Sequence, residues 1–145
     1  MTIYVDADAC PVIDVTLKIA ARYNIPCILL SDTAHQIRRE GTQTITVSKG
    51  ADSVDFRLVN LIQKGDIAIT QDYGLAAMCL AKGAYALHQN GIRYTDDNID
   101  AMLHTRYTFK KIRAAGGRTK GPRARTAAED AAFGQTLQDL LESLK

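Results

Sequence analysis

The feature that most constrains this fold is a short apolar strand followed by two carboxylates and a helix start. Ile3 to Val5 are predicted to form the strand, Asp6 and Asp8 follow where it should end, and Pro11 opens an apolar helical pattern. In α/β sheets, such strand ends form the crevice where ligands bind. Two neighbouring acids repel each other unless a proton or a cation lies between them, and a hard divalent ion suits oxygen ligands. The alternative is that Asp8 caps the helix and Asp6 is a solvated turn residue.

Apolar runs and amphipathic helical patterns then alternate along the 145 residues. Ser31 to Thr33 resemble a helix cap before a short helix through about Glu40, and a closing helix is predicted over 127–144. This alternation predicts an α/β protein with three α/β/α layers, in which helices cover both faces of a mostly parallel sheet of about five strands. The length suits a single domain over 1–145. The predicted strands are residues 2–6, Cys27–Leu30, Thr42–Ser48, Ile67–Thr70 and Tyr85–His88.

The overall composition is that of a soluble globular protein. Hydrophobic residues make up 46% of the chain and charged residues 23%, and no apolar run approaches the length of a membrane span. The N-terminus lacks the pattern of a signal peptide, so a cytoplasmic location is expected. The three cysteines are widely spaced and match neither a zinc site nor a disulfide framework. Nothing in the sequence indicates the oligomeric state.

The net charge of +2 conceals one strongly basic segment. Eight Lys or Arg residues and no acid lie between Arg106 and Arg125, which leaves ten basic and sixteen acidic residues elsewhere, a net charge of −6. The glycines within this segment indicate a mobile loop around 113–125. An acidic body with one basic segment suggests an anionic partner such as nucleic acid, held next to metal ions.

A second group of acids is expected to join Asp6 and Asp8. Asp72 follows the fourth predicted strand as Asp6 follows the first, so these acids converge if the two strands are neighbours in the sheet. The helix that begins near Asp52 can bring Asp52 and Asp55 to the same edge. Four or five acids cannot all stay ionised there without cations, so the arrangement implies Mg²⁺ or Mn²⁺. The alternatives are that Asp52 is a helix cap and Asp55 a favourable charge in the first turn.

Four separated motifs resemble the YaiI/YqxD family, a bacterial family of uncharacterised proteins with a PIN-like domain. The resemblance implies a PIN-like fold, and PIN-like and NYN nucleases cut RNA at a cluster of acids that binds Mg²⁺ or Mn²⁺. It also implies that Asp6 is the acid that ends the first strand and that Asp72 is the acid of a Thr-x-Asp-x-x-Leu-Ala signature. The motifs are Asp6–Val12, Lys49–Phe56, Gly65–Ala76 and Thr119–Pro122.

The leading interpretation is therefore a metal-dependent ribonuclease or related phosphodiesterase. Asp6, Asp8 and Asp72 would be catalytic metal ligands, and Asp55 and Asp52 would be ligands or groups that position water. Thr70 would support the site through its hydroxyl, or is simply a β-branched strand residue. The groups expected to bind phosphates of the nucleic acid are Lys49, Arg118, Lys120, Arg123 and Arg125.

Two other functions remain open from the sequence. The Asp6-Ala7-Asp8 triplet also looks like the start of a haloacid-dehalogenase phosphatase, with Asp6 as nucleophile and Asp96-Asp97 as the only candidate for the late acidic pair. Alternatively, the protein is an RNA- or protein-binding module that keeps the acidic pocket without turnover.

Overall fold

The computed structural model describes residues 1–33, 37–50, 53–103 and 124–145. Four of the predicted site residues lie outside these ranges, as does most of the predicted basic loop. They are Asp52, Arg118, Lys120 and Arg123.

Six strands form one sheet at the centre of the described chain. Along the sheet the order is β3-β2-β1-β4-β5-β6, with the first five strands parallel and β6 antiparallel to β5. The first strand therefore lies between β2 and β4, so two of the strand ends predicted to carry acids are neighbours. The strands are β1 (Ile3–Asp6), β2 (Cys27–Asp32), β3 (Gln43–Val47), β4 (Ile67–Ile69), β5 (Tyr85–Leu87) and β6 (Arg93–Tyr94).

Helices cover both faces of the sheet. α1 and α5 pack with one face of β1 in one apolar cluster, and α2 and α3 pack on the opposite face in a second cluster. This arrangement confirms the predicted three-layer α/β/α fold with a mostly parallel sheet. The helices are α1 (Ile13–Arg22), α2 (Ser53–Leu61), α3 (Tyr73–Ala81), α4 (residues 96–103) and α5 (Ala127–Ser143).

The central strands are apolar on both faces because both faces are covered. Ile3 and Val5 point into the α1/α5 layer, whereas Tyr4 points into the α2/α3 layer. Both Ile3 and Val5 are fully buried, and each such side chain contributes about 1.5–3 kcal/mol through removal of apolar surface from water. This two-sided burial explains why the buried strands of a parallel sheet appear as continuous apolar runs in the sequence.

Three details differ from the expectations. The sheet has a sixth strand, β6, whose two residues are too few to show a periodic pattern. Helix α1 begins at Ile13, after a turn at Pro11. Ser31 and Asp32, predicted to cap a helix, instead belong to β2, where Ser31 is fully buried. Of the helices that the structure describes, none combines the length and the apolar character needed to cross a membrane.

Candidate active site

The ends of β1 and β4 meet through the side chain of Thr70. Because Val5 of β1 pairs with Ile69 of β4, the next residues, Asp6 and Thr70, lie side by side at the carboxyl edge of the sheet. The Thr70 hydroxyl donates a hydrogen bond to Asp6 Oδ2 at 2.8 Å and accepts one from the backbone N–H of Asp72 at 3.0 Å. Thr70 is 2% exposed, so one buried hydroxyl links the two acidic strand ends.

Asp72 lies at the cleft and also begins helix α3. It is the N-cap residue of α3, with extended backbone, and its Oδ1 accepts a hydrogen bond from the backbone N–H of Leu75 at 3.1 Å. A carboxylate at a helix N-terminus is favoured by the helix dipole. The cap fixes the orientation of this side chain beside the end of β4.

The turn after β1 brings Asp8 to the same side as Asp6. Ala7, between them, is buried in the α1/α5 layer, and its N–H donates to the Leu30 carbonyl at 2.9 Å. Ala9 adopts a left-handed conformation with φ 57°, a conformation uncommon for a residue with a side chain. Successive side chains point to opposite sides of the chain here. Because Ala7 points into the core, the carboxylates of Asp6 and Asp8 lie together on the other side, and the tight turn at Ala9 follows them.

These acids line an open cleft of about 480 Å³. Burial raises the pKa of Asp6 from 3.8 to about 6; the charges of Asp8 and Asp72 also raise it, and the hydrogen bond from Thr70 lowers it. A carboxyl group with this pKa takes up or releases its proton near neutral pH. The lining residues are Asp6, Asp8, Gln71, Asp72 and Tyr73.

The donor set of this cleft fits a hard divalent cation with few protein ligands. Among the described ranges, no three His, Cys, Asp or Glu side chains are grouped closely enough to hold a metal ion. However, Mg²⁺ is usually bound by one or two carboxylates and keeps several waters or substrate phosphate oxygens. Asp6 together with Asp8 or Asp72 provides oxygen ligands of this kind, and burial, followed by the charges of Asp8 and Asp72, makes ionisation of Asp6 costly without a cation.

The other described acids and bases of the predicted site are not among the described residues that line the cleft. Asp55 is in the first turn of α2, outside the described lining of the cleft, and its charge adds to the effect of burial in raising the pKa of Cys79 in α3. Lys49 is exposed after β3. Asp96 and Asp97 are exposed at the start of α4 and likewise do not line this cleft, so the acidic pair that a haloacid-dehalogenase site requires is not brought to Asp6.

Arg125 makes contacts within the protein rather than presenting an open guanidinium. Its Nε is 2.6 Å from Asp130 Oδ1, its Nη1 donates to Asn90 Oδ1 at 2.5 Å, and its Nη2 donates to the Gln89 carbonyl at 2.6 Å. These bonds attach the start of α5 to the turn between β5 and β6. Three of the five N–H donors of Arg125 are used in these bonds, and the phosphate-binding role expected from the sequence stays a prediction.

Two aromatic residues beside the acids had no predicted role. Tyr73 lines the cleft, and the ring of His88, at the end of β5, is 6.4 Å from the ring of Tyr73. Position was the only available signal, since Tyr73 directly follows Asp72 and His88 is the last residue of a predicted strand. Their proximity depends on the neighbouring positions of β4 and β5, which periodicity does not specify.

Comparisons with known proteins identify relatives along nearly the whole chain. A UPF0178 protein from Exiguobacterium sibiricum is 52% identical over 141 residues, which cover 97% of this chain and 96% of that protein. UPF0178 proteins from Ruminiclostridium cellulolyticum and Clostridium acetobutylicum are 52% and 48% identical, covering 94% and 97% of this chain and 90% and 97% of their own lengths.

Among solved structures, the crystal structure of a mutant of Rae1 (YacP) from Bacillus subtilis matches with a TM-score of 0.47 and 14% sequence identity, over 100% of both chains. The family described as "Uncharacterized BCR, YaiI/YqxD family" matches residues 4–143. The chain therefore belongs to the YaiI/YqxD family.

Proposed function

We propose that the protein is a divalent-metal-dependent nuclease that hydrolyses RNA phosphodiester bonds at the cleft formed by Asp6, Asp8 and Asp72. The observation that carries the proposal is the convergence of these acids from two neighbouring strand ends, where burial and mutual repulsion raise the pKa of Asp6 to about 6. Buried carboxylates with perturbed pKa values in a cleft are typical of functional sites.

The electrostatics favour a cation at this position. Ionising Asp6 beside two further acids costs free energy, and a bound divalent ion offsets this cost. When bound, Mg²⁺ or Mn²⁺ supplies positive charge that neutralises a phosphodiester and eases the ionisation of water. Asp6 and either Asp8 or Asp72 would hold the ion.

The protein's own groups orient the carboxylates. The Thr70 hydroxyl donates to Oδ2 of Asp6 and holds that side chain in place, while Oδ1 of Asp72 is fixed by the N-terminus of α3. The pKa of about 6 belongs to the metal-free protein; a bound divalent ion would keep Asp6 ionised, so this carboxylate would act as a ligand of the ion. The choice of RNA as substrate is based on the resemblance to PIN-like nucleases and on the basic segment between Arg106 and Arg125.

The test is Mn²⁺ binding by calorimetry together with cleavage of a labelled single-stranded RNA. Asp6→Asn retains an oxygen that accepts the Thr70 hydroxyl, and Asp72→Asn retains a favourable helix cap, so neither substitution should unfold the protein. A matched control is Asp100→Asn, at an exposed position of α4. We expect the native protein and the control to bind Mn²⁺ and cleave RNA, and both cleft variants to lose both properties.

Two results would contradict the proposal. Absence of both metal binding and cleavage at millimolar Mn²⁺ would remove the proposed metal site. Salt-sensitive RNA binding without cleavage in any divalent metal would instead support a binding module that keeps the acidic cleft without turnover.

A further inference from the structure

Three aromatic rings pack against one another beside the acidic cleft. The ring centroids of Tyr73 and Tyr94 are 6.0 Å apart with an interplanar angle of 67°, and those of His88 and Tyr94 are 6.1 Å apart at 72°. The rings of Tyr73 and His88 are 6.4 Å apart at 42°. These are edge-to-face or tilted arrangements at distances favoured by aromatic pairs.

Hydrogen bonds fix the two rings that support Tyr73. Tyr94 is 1% exposed, and its hydroxyl donates to the Thr70 carbonyl at 3.1 Å. The Nδ1 atom of His88 accepts the backbone N–H of Asn90 at 3.0 Å, so this nitrogen carries no proton and the imidazole is held against the turn. The Tyr73 ring therefore rests on a rigid support.

Tyr73 connects this support to the cleft. It is the first residue of α3, immediately after Asp72, and it lines the cleft together with Asp6 and Asp8. Its side chain packs partly against the small apolar cluster that contains Tyr94 and remains half-buried. The cleft thus has acids on one part of its wall and a supported aromatic side chain on another.

We propose that Tyr73 is a stacking platform for one nucleobase next to the phosphodiester held at the acids, which makes the substrate single-stranded. This inference rests on the proposed nuclease function and specifies its substrate class. In single-stranded nucleic acid complexes, bases commonly stack on aromatic side chains, with little sequence preference because every base has a π-face. Bases inside a duplex are covered on both faces by their neighbours, so only an unstacked base can use the Tyr73 ring.

The test compares the binding of two strands of equal length that differ only in their bases. One is a fluorescein-labelled oligoribonucleotide of mixed sequence, and the other is an abasic ribose-phosphate chain. Dissociation constants are measured by fluorescence anisotropy in Ca²⁺, a hard cation that takes the same oxygen ligands. Tyr73→Leu removes the aromatic face but keeps an apolar side chain, Tyr73→Phe keeps the ring, and unfolding temperatures show whether each variant is folded.

A matched control tyrosine lies at the opposite edge of the sheet. Tyr85 begins β5, and its ring lies 5.2 Å from the Arg93 guanidinium carbon. We expect Tyr73→Leu to weaken binding of the base-containing strand by about 5- to 100-fold and to leave binding of the abasic chain unchanged. Tyr73→Phe should retain the preference for bases, and Tyr85→Leu should alter neither affinity.

The possible failures are distinguishable. If Tyr73→Leu weakens the binding of both strands equally, or if the native protein binds both strands equally well, the stacking platform is refuted. The proposed nuclease function is not affected by either result, because it depends on cleavage that requires Asp6. If RNA cleavage is the same in Asp6→Asn as in the native protein, the proposed function itself fails, whatever the strands show. If neither strand binds at all, the platform is refuted, and the cleavage assay with Asp6→Asn alone decides the proposed function.

Discussion

Replacing Asp6 by Asn should stabilise the metal-free protein at neutral and alkaline pH. The pKa of Asp6 rises from 3.8 to about 6, first because the carboxyl is buried and then because Asp8 and Asp72 are nearby. A tenfold change in proton affinity corresponds to about 1.4 kcal/mol, so ionising this carboxyl costs the folded state about 3 kcal/mol relative to the unfolded chain. Asn carries no charge and avoids this cost while still accepting the Thr70 hydroxyl.

The pH dependence of this cost gives the prediction its direction. Below about pH 4, Asp6 is protonated in both the folded and the unfolded protein, so this carboxyl does not lower the stability. Between about pH 4 and pH 6 the folded state keeps a proton that the unfolded state has released, so this group lowers the stability as the pH rises. Above that range the full cost is present, and the stabilising effect of Asp6→Asn should reach its maximum.

The measurement is urea unfolding followed by circular dichroism, in EDTA, across this pH range. Urea slopes of about 1–3 kcal/mol per molar convert the expected stabilisation into a midpoint increase of about 1–3 M near pH 8, with little change near pH 4. Asp100→Asn, at an exposed position of α4, should show no comparable pH-dependent gain. A constant difference at every pH, or a variant less stable than the native protein at pH 8, would refute this account of Asp6.

Two further predictions concern single side chains. Thr70→Val keeps the shape of a residue that is 2% exposed but removes its hydroxyl. We expect the free energy of unfolding to fall by about 1–3 kcal/mol. We also expect a higher pKa of Asp6 in a ¹³C NMR titration, because the hydrogen bond from Thr70 lowers that pKa. An unchanged Asp6 titration would mean that the bond is unimportant. Gly91→Ala would place Cβ 2.8 Å from backbone atoms of α5 at a φ of +88°, whereas Gly41→Ala, at a φ of +74°, meets nothing within 4 Å. Thermal unfolding should therefore show the larger loss for Gly91, and equal losses would contradict the close approach.

The sequence predicted the parts of the fold that depend on local patterns. The buried strands β1, β2 and β4 contain continuous apolar runs, and Asp6 and Asp72 stand out because Asp6 directly follows one such run and Asp72 lies three residues after the end of another. The sequence did not show that β1 and β4 are neighbours in the sheet, because strand order depends on pairing between distant segments. The structure places them side by side through the Val5–Ile69 register.

The parts that could not be predicted depend on contacts between distant segments. The aromatic cluster requires β6, whose two residues pair with β5 so that Ala86 lies opposite Tyr94. The contacts of Arg125 join residues 35 and 36 positions apart in the chain. Its position within a run of basic residues suggested a phosphate ligand, and only the tertiary structure shows that three of its N–H donors bond to Asp130, Asn90 and Gln89.

The sequence left open whether the acids after the strands are structural or functional, and Asp72 shows that one carboxylate can be both. Its Oδ1 accepts the N–H of Leu75 and stabilises the start of α3, yet the same side chain lines the cleft and raises the pKa of Asp6. A cap restricts the side chain to one orientation, so the entropy needed to position this carboxylate is already lost on folding. Capping therefore supports a role in the cleft, and the variant that separates the two roles is Asp72→Asn, which retains the cap and removes the charge.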